Sequence, residues 1–430
     1  MKLLYIDPGT GSMLFTILIG VLGAAVFALR GALIKLRFLF SGGKKSAGDE
    51  KRLRTVIYSD SKRYWNVFRP ICDELEARGE PAVYMTSSPD DPALKTHYRH
   101  IACEFIGEGN KAFAKLNMLK ADLLLSTTPG LDVYQWKRSK DVAVYAHILH
   151  AVSDATLYRM FGLDYYDAVL LSGGYQEQQI RALEEARGLK KKELFVVGQP
   201  YMDELLKRKE TEPAPESAEK TVLLAPSWGP SAILAKYGEK MIDALLATGY
   251  RIVIRPHPQS FLSEKEMIDS LTAKYPESER LEWNRDNDNF GVLSRADIMI
   301  SDFSGVIFDY SLVFGRPVIY ADTSFDPSPY DACWLEEEPW TFRTLKKIGV
   351  PLALEDLDDM KAKIDGALAS KELKENLVQA REECWQNRGT SAAAVVDCLK
   401  KLLADVDAAR EPGGSEVCGN AASEVLPPAK

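Results

Sequence analysis

One stretch constrains the fold more than any other, and it runs from residue 296 to residue 322: ADIMISDFSGVIFDYSLVFGRPVIYAD. Residues 298–300 form a short apolar run that suits a buried strand, and turn and N-cap residue types follow this run. Apolar residues then recur at helical spacing as far as Gly315, after which a second apolar run begins. The stretch therefore predicts a βαβ crossover whose helix begins at the carboxyl edge of a parallel sheet.

The turn of this unit predicts an anion-binding site. Ligands of α/β proteins bind at the carboxyl edge of the sheet, and the first amides of a helix, together with its dipole, attract negative charge. We expect Ser304 and Gly305 to hold a phosphate there, with Asp302 as a secondary candidate. The alternative is an ordinary strand-to-helix turn with a serine cap.

Strand and helix patterns alternate over most of the chain, which predicts parallel sheets covered by helices on both faces. A charged, proline-containing segment at residues 207–220 divides the pattern into two series. We therefore predict an α/β fold with two Rossmann-like domains that face each other across a cleft. The expected segments are a membrane anchor in residues 1–40, a basic linker in 41–53, an N-terminal domain in 54–206, a linker in 207–220, a donor-binding domain in 221–350, helices in 351–405 and a disordered tail in 406–430.

The membrane anchor is predicted from residues 8–29, which contain no charged side chain. At ~1.5 Å per residue, about 20 residues cross a bilayer, and this run reaches that length when its flanks are included. Lysines and arginines follow the run rather than precede it, which favours an uncleaved single span with a cytoplasmic body over a signal peptide. A protein anchored in this way meets lipid-linked substrates easily.

Composition excludes several function classes. The net charge of -8 over 430 residues argues against nucleic acid as a partner. Six cysteines without CxxC pairs indicate neither a zinc site nor a disulfide framework. We predict no cofactor and no metal, since cations and helix amides suffice to neutralise a phosphoryl group.

A second polar cluster, Arg255-Pro256-His257-Pro258, directly follows a predicted strand. Its two prolines stiffen the turn, so Arg255 and His257 are expected to project from the same sheet edge as Ser304. The alternative is that Arg255 pairs with an acidic neighbour and His257 caps a loop. Ser227 and Trp228 also end a strand and either line this cleft or pack beneath it.

Two histidines, His147 and His150, follow a predicted strand at residues 142–146. Their spacing of three suggests a shared helical face, which raises metal ligation as an option, although no third ligand accompanies them. We prefer one catalytic base and one structural histidine. An imidazole with a pKa of ~6.5 accepts a proton from an attacking hydroxyl near neutral pH.

Several blocks of the sequence resemble the CDP-glycerol glycerophosphotransferase family, whose members make teichoic-acid primers and polymers. The likeness covers roughly residues 120–400 and is most specific at residues 296–322, which resemble the family signature ADxxITDYSSxxFDF...KPxIFY with Gly305 in place of the second Ser. The other blocks are GQPYMD at 198–203, which resembles GxPRxD with Tyr201 where Arg is expected, LAPSW at 224–228, IRPHP at 254–258 and, more weakly, RGTSA at 388–392.

The resemblance implies a GT-B-like pair of domains and attack of an acceptor hydroxyl on the β-phosphate of CDP-glycerol, with release of CMP. It places His257 and His150 on the two catalytic histidines of the family. The family's WHGT block is altered here, since Leu149 replaces Trp and Ala151 replaces Gly, and His147 aligns with a Gln. Asp309 matches the FD of the signature and is expected to contact ribose or glycerol hydroxyls, whereas the residues alone suggested a helix-surface or capping role.

The sequence thus predicts a membrane-anchored, cytoplasm-facing transferase. It would move a polyol phosphate from a CDP-activated donor to a lipid-linked glycan, with Ser227, Arg255, Ser304 and Gly305 around the donor diphosphate. A nucleotide-sugar glycosyltransferase of the same architecture is one alternative. A catalytically silent, membrane-bound scaffold is the other.

Overall fold

Alternating strands and helices build two parallel sheets in the computed structural model, which describes residues 52–212, 219–286, 288–321 and 325–411. The predicted membrane anchor, nearly all of the basic linker, residues 213–218 of the predicted internal linker and residues 412–430 of the tail lie outside this part of the chain. No helix in the described ranges has both the length and the apolar character that a bilayer span requires.

The first sheet has seven parallel strands in the described residues, in the order β3-β2-β1-β4-β5-β6-β7. The strands are β1 (Leu53–Ser59), β2 (Ala82–Thr86), β3 (Ile101–Phe105), β4 (Ala121–Ser126), β5 (Val142–Ile148), β6 (Ala168–Leu171) and β7 (Glu193–Val196). Every residue of β4 is buried, as expected for a strand that is covered on both faces. The sequence patterns did not predict β3, where only Ile101 is fully buried.

The second sheet has six parallel strands in the described residues, in the order β10-β9-β8-β11-β12-β13. The strands are β8 (Thr221–Leu224), β9 (Arg251–Ile254), β10 (Leu281–Trp283), β11 (Ile298–Ser301), β12 (Val318–Ala321) and β13 (Gly349–Leu352). The two parallel sheets confirm the predicted α/β fold with two Rossmann-like domains.

Helices cover both sheets and connect their strands. They are α1 (Trp65–Ala77), α2 (Asn110–Leu116), α3 (Tyr175–Arg187), α4 (Pro200–Thr211), α5 (Ile233–Ala247), α6 (Ser260–Ser263), α7 (Lys265–Lys274), α8 (Phe290–Arg295), α9 (Val306–Phe314), α10 (Trp340–Ile348), α11 (Met360–Ala369), α12 (Lys371–Cys384) and α13 (Ser391–Ala408).

The stretch at residues 296–322 forms the predicted crossover of β11, α9 and β12. Met299 and Ile300 pair in parallel with Val318 and Ile319. Gly315 ends α9 with φ of 69°, a left-handed conformation that glycine adopts without a steric penalty. The two apolar runs, the turn residues between them and Gly315 therefore predict both strands and the helix of this unit.

The predicted internal linker at residues 207–220 begins too early, because α4 continues through Thr211. Residues 207–211 are polar, so they lack the apolar periodicity that would have marked them as helical. Lys209 Nζ donates to the carbonyl oxygen of Val313 at 2.9 Å, which fixes the end of α4 against α9.

The C-terminal helices, predicted as one segment at residues 351–405, are shared between the two domains. Ile364 of α11 packs in the core beneath the second sheet. Val395 and Leu399 of α13 pack with Phe68 and Ile71 of α1, beside the first sheet. The chain therefore crosses back to the first domain at its end, and from Leu53 onward it forms one compact unit.

Candidate active site

The loop that follows β5 joins the first domain to the second. The carboxylate of Asp154 accepts the backbone amides of Trp340 at 2.6 Å and Thr341 at 2.7 Å. Val152 is fully buried in the same core cluster as Ile307 of α9. These contacts hold the loop, and His150 within it, against the carboxyl edge of the second sheet.

His150 is half-buried at the start of this loop. Its Nδ1 lies 3.2 Å from Thr127 Oγ1 and 3.1 Å from the Tyr158 hydroxyl. Burial, assisted by the nearby charge of Arg63, lowers the pKa of His150 to about 4. The imidazole is therefore neutral near pH 7, and its Nε2 makes no hydrogen bond to the described residues.

His147 does not share a helical face with His150, so that prediction was wrong. β5 runs two residues further than the apolar pattern indicated, and His147 lies inside it, fully buried. Its Nε2 lies 3.2 Å from the Tyr158 hydroxyl, and burial lowers its pKa well below the ordinary value. His147 thus belongs to the core, and Tyr158 connects it to His150.

Arg255 follows β9 and reaches across the edge of the second sheet. Its guanidinium donates to the side-chain oxygen of Asn284 at 2.5 Å and to that of Asn289. Both partners are neutral amides, so the alternative in which Arg255 pairs with an acidic neighbour was wrong. Burial lowers the pKa of Arg255, but an arginine keeps its proton in proteins, and its charge has no direct ion pair among the described residues, although Asp286 and Asp288 act on it from further away.

His257 is half-buried in the turn after Arg255. Its Nδ1 accepts the backbone amide of Gln259 at 3.1 Å, so the proton of the neutral ring lies on Nε2. Burial is the main cause that lowers its pKa to about 4. The Trp228 ring is 43% exposed and lies beside the imidazole, with 6.4 Å between the ring centroids, so Trp228 lines the cleft and is not part of the core.

The N-terminus of α9 lies directly opposite the His150 loop. A methyl group placed on Gly305 would lie 3.6 Å from the Ala151 Cβ, so the two domains are in contact here. The backbone amides of Ser304, Gly305 and Val306 make no hydrogen bond to the described residues, whereas the next two amides donate to the carbonyl oxygens of Ser304 and Gly305. Three free N–H groups at a helix N-terminus can bind an anion.

Asp302 is a positioning residue. Its buried carboxylate accepts the backbone amides of Phe303 at 2.8 Å, Ile233 at 2.9 Å and Ser227 at 3.0 Å. These bonds tie the end of β11 to the loop after β8 and to the start of α5. The Ser227 hydroxyl is buried nearby and has no hydrogen-bond partner in the described part of the chain.

Asp309 lies in the first turn of α9 and is buried, not on the helix surface. Its Oδ1 has no hydrogen-bond partner in the described residues, and burial raises the pKa of its carboxyl to about 7. Burial, followed by the charge of Asp309, raises the pKa of Tyr201, which occupies the position where the related family has an arginine. Asp309 is therefore a buried carboxyl in the same first turn as the anion-binding amides, and no described cation contributes to its pKa.

Sequence reasoning missed Arg63. This residue lies in a 3₁₀ turn, Lys62–Tyr64, directly after β1, and its charge lowers the pKa of both His150 and His257. The available signal was the polar run SDSKR after the first strand, which marks the same type of sheet edge as the other candidates.

Comparisons with known proteins agree with this geometry. Residues 163–332 match the family model described as CDP-Glycerol:Poly(glycerophosphate) glycerophosphotransferase. No curated protein matches the chain. A structure of the wall teichoic acid polymerase TagF soaked with CDPG is similar at 15% identity and a TM-score of 0.55, over 88% of this chain and 98% of that chain.

The fold also recurs in a UDP-GlcNAc 2-epimerase from Methanocaldococcus jannaschii in complex with UDP-GlcNAc and UDP. That likeness has 12% identity and a TM-score of 0.55, over 81% of this chain and 100% of that chain. At such identities a structural likeness establishes the GT-B-like fold alone. Over residues 163–332 the family model adds that the protein is a transferase similar to the CDP-glycerol glycerophosphotransferases.

Proposed function

We propose that the protein transfers glycerol phosphate, or a related polyol phosphate, from a CDP-activated donor to a hydroxyl of a membrane-linked glycan or teichoic-acid-type acceptor, and releases CMP. One observation carries the proposal. Two neutral histidines, one from each domain, flank a helix N-terminus that has three unpaired amides. This arrangement supplies a proton acceptor, a hydrogen-bond donor and an anion site in one cleft.

The second domain binds the donor in this proposal. The amides of Ser304, Gly305 and Val306 bind the diphosphate, and Arg255 supplies positive charge at the same sheet edge. Asp309 receives a hydroxyl of the ribose or glycerol, since its unpaired buried oxygen requires a hydrogen-bond donor. The Ser227 hydroxyl, which is also without a partner in the described residues and can donate or accept, lies at the same edge.

The first domain activates the acceptor. A neutral His150 accepts the proton of the attacking hydroxyl at Nε2, while its Nδ1–H donates to Thr127 or Tyr158. The acceptor oxygen forms a bond to the β-phosphorus as the bond from that phosphorus to the bridging oxygen breaks. The electron pair of the broken bond leaves with CMP.

His257 is the other neutral tautomer, with its proton on Nε2. Its Nδ1 is occupied by the Gln259 amide, so Nε2–H is a donor that can hydrogen-bond a phosphate oxygen as charge develops on the departing CMP. The environments of the two histidines therefore assign one as base and the other as electrostatic stabiliser, although the two residues have similar pKa values.

A membrane-linked acceptor is supported by the apolar run at residues 8–29, which lies outside the described residues. A body held near the bilayer would encounter acceptors by diffusion in two dimensions. The anchor and the cytoplasmic orientation remain predictions from the sequence.

The test is a donor panel measured by thermal stabilisation. The purified protein is heated with CDP-glycerol, CDP-ribitol and a set of UDP-, GDP- and CDP-sugars at matched concentrations. We expect the CDP-polyols to raise the melting temperature most, since a ligand at 100 times its Kd stabilises by about 2.7 kcal/mol. Preference for a nucleotide sugar would indicate a glycosyltransferase, and no response to any nucleotide would indicate a silent scaffold.

A further inference from the structure

Arg63 lies at the edge of the first sheet, and its guanidinium makes no ion pair with the described residues. The 3₁₀ turn that carries it is capped by Ser61, whose hydroxyl accepts the Arg63 backbone amide and lies 3.2 Å from Arg63 Nε. The two terminal nitrogens of the side chain make no hydrogen bond or ion pair with the described residues. The side chain is exposed.

The neighbouring cation behaves differently. Lys62 pairs with Asp90 of the first domain through a short contact between Nζ and Oδ2. Lys62 is thus paired with a carboxylate, whereas Arg63 has no ion pair in the described part of the chain, although its charge acts on the nearby Asp60 carboxyl.

The turn that carries Arg63 lies beside His150, because the ring of the next residue, Tyr64, has its centroid 5.1 Å from that of the His150 imidazole. After burial, the charge of Arg63 is the next cause that lowers the pKa of His150 in the first domain and that of His257 in the second. Arg255 acts on His257 and is not among the causes that act on His150. Arg63 therefore lies beside the His150 imidazole at the edge of the first sheet, and its charge acts on both histidines.

We propose that Arg63 is a catalytic residue that binds the non-bridging oxygens of the phosphate under attack, from the first domain. The inference rests on the proposed function and adds a residue outside the part of the chain that matches the family. An arginine fork matches two phosphate oxygens, which a lysine cannot do. It would neutralise charge on the equatorial oxygens while the acceptor oxygen bonds to phosphorus and CMP departs.

The test compares Arg63→Ala and Arg63→Lys with the matched control Lys62→Ala. Turnover of CDP-glycerol by Arg63→Ala should fall ~10²-fold or more and the donor KM should rise by about tenfold, because the contact forms with the bound diphosphate and strengthens further as the transition state forms. Added guanidinium should restore part of the activity of Arg63→Ala. Arg63→Lys should be intermediate, and Lys62→Ala should resemble the wild type.

A second measurement separates this inference from the proposed function. Inorganic pyrophosphate is titrated into each protein while the histidine ring signals are followed by NMR. We expect Arg63→Ala to bind pyrophosphate at least about tenfold more weakly than Lys62→Ala, and its His150 and His257 pKa values to rise. If the wild type ignores CDP-glycerol but pyrophosphate binding depends on Arg63, the proposed donor is wrong and the phosphate contact stands. Equal pyrophosphate binding, or wild-type turnover by Arg63→Ala, would overturn the inference.

Discussion

The geometry of the donor site depends on Asp302, and replacing this residue by Asn should destabilise the protein by about 1–3 kcal/mol. Oδ1 accepts the amides of Phe303 and Ser227, and Oδ2 accepts those of Ile233 and Ser227. An asparagine has one accepting oxygen, so in either orientation it loses the Phe303 amide or the Ile233 amide. A buried donor left unpaired costs about 1–3 kcal/mol.

Asp302→Ala leaves all three amides without a partner, so its cost should exceed that of the Asn variant. Asp297→Asn is the matched control, because its carboxylate accepts one amide, that of Thr221, at 2.8 Å. An asparagine can keep that bond, and the expected change is below about 1 kcal/mol.

The assay is urea unfolding of the three variants, followed by thermal stabilisation with CDP-glycerol. We expect Asp302→Asn to lose stability and part of its response to the donor, since either the end of β11 or the start of α5 is released, depending on the orientation of the amide. If Asp302→Asn were as stable as Asp297→Asn yet inactive, Asp302 would be a reacting group and the positioning role would be wrong.

Three further predictions concern the two sides of the cleft. In Asp309→Asn, which removes the carboxyl that titrates near pH 7, the value of kcat/KM should stay level from pH 7 to about pH 5 and fall only near pH 4, because His150 must be neutral and its pKa is lowered to about 4; an acid limb near pH 6.5 in this variant would indicate an ordinary imidazole. Tyr158→Phe should lower kcat about tenfold and the free energy of unfolding by about 1–3 kcal/mol, because it removes a hydrogen bond from His150 and leaves the buried Nε2 of His147 unpaired. Thr127→Val is its control, since Thr127 contacts His150 and not His147. In urea unfolding, Thr127→Val should lose less stability than Tyr158→Phe. Ser304→Ala and Gly305→Ser should each change the Kd for CDP-glycerol by less than about threefold in calorimetric titration, because the backbone amides bind the phosphate; a tenfold loss in Ser304→Ala would show that the hydroxyl binds it.

The sequence predicted those parts of the fold and site that depend on neighbouring residues. The crossover at residues 296–322 could be assigned because apolar runs, turn residues and the helix-ending Gly315 all lie within one short segment. Arg255, His257 and Ser304 could be placed on one sheet edge because the carboxyl ends of parallel strands coincide.

Other features depend on contacts between distant segments, which local patterns do not encode. The amides that occupy Asp302 come partly from residues about 70 positions away, so its positioning role was invisible in the sequence. His147 was misplaced because a strand end and a helix start look alike where polar and apolar residues mix. Arg63 was missed because its relation to His257 exists only after the two domains have packed together.

The central claim is that His150 and His257 act on opposite sides of one reacting phosphate. The most direct measurement is the rate of CMP release from CDP-glycerol with a lipid-linked glycan acceptor, for the wild type, His150→Ala and His257→Ala. We predict that each substitution lowers turnover by ~10²-fold or more while the folded protein persists. Near-normal rates in both variants would contradict the claim.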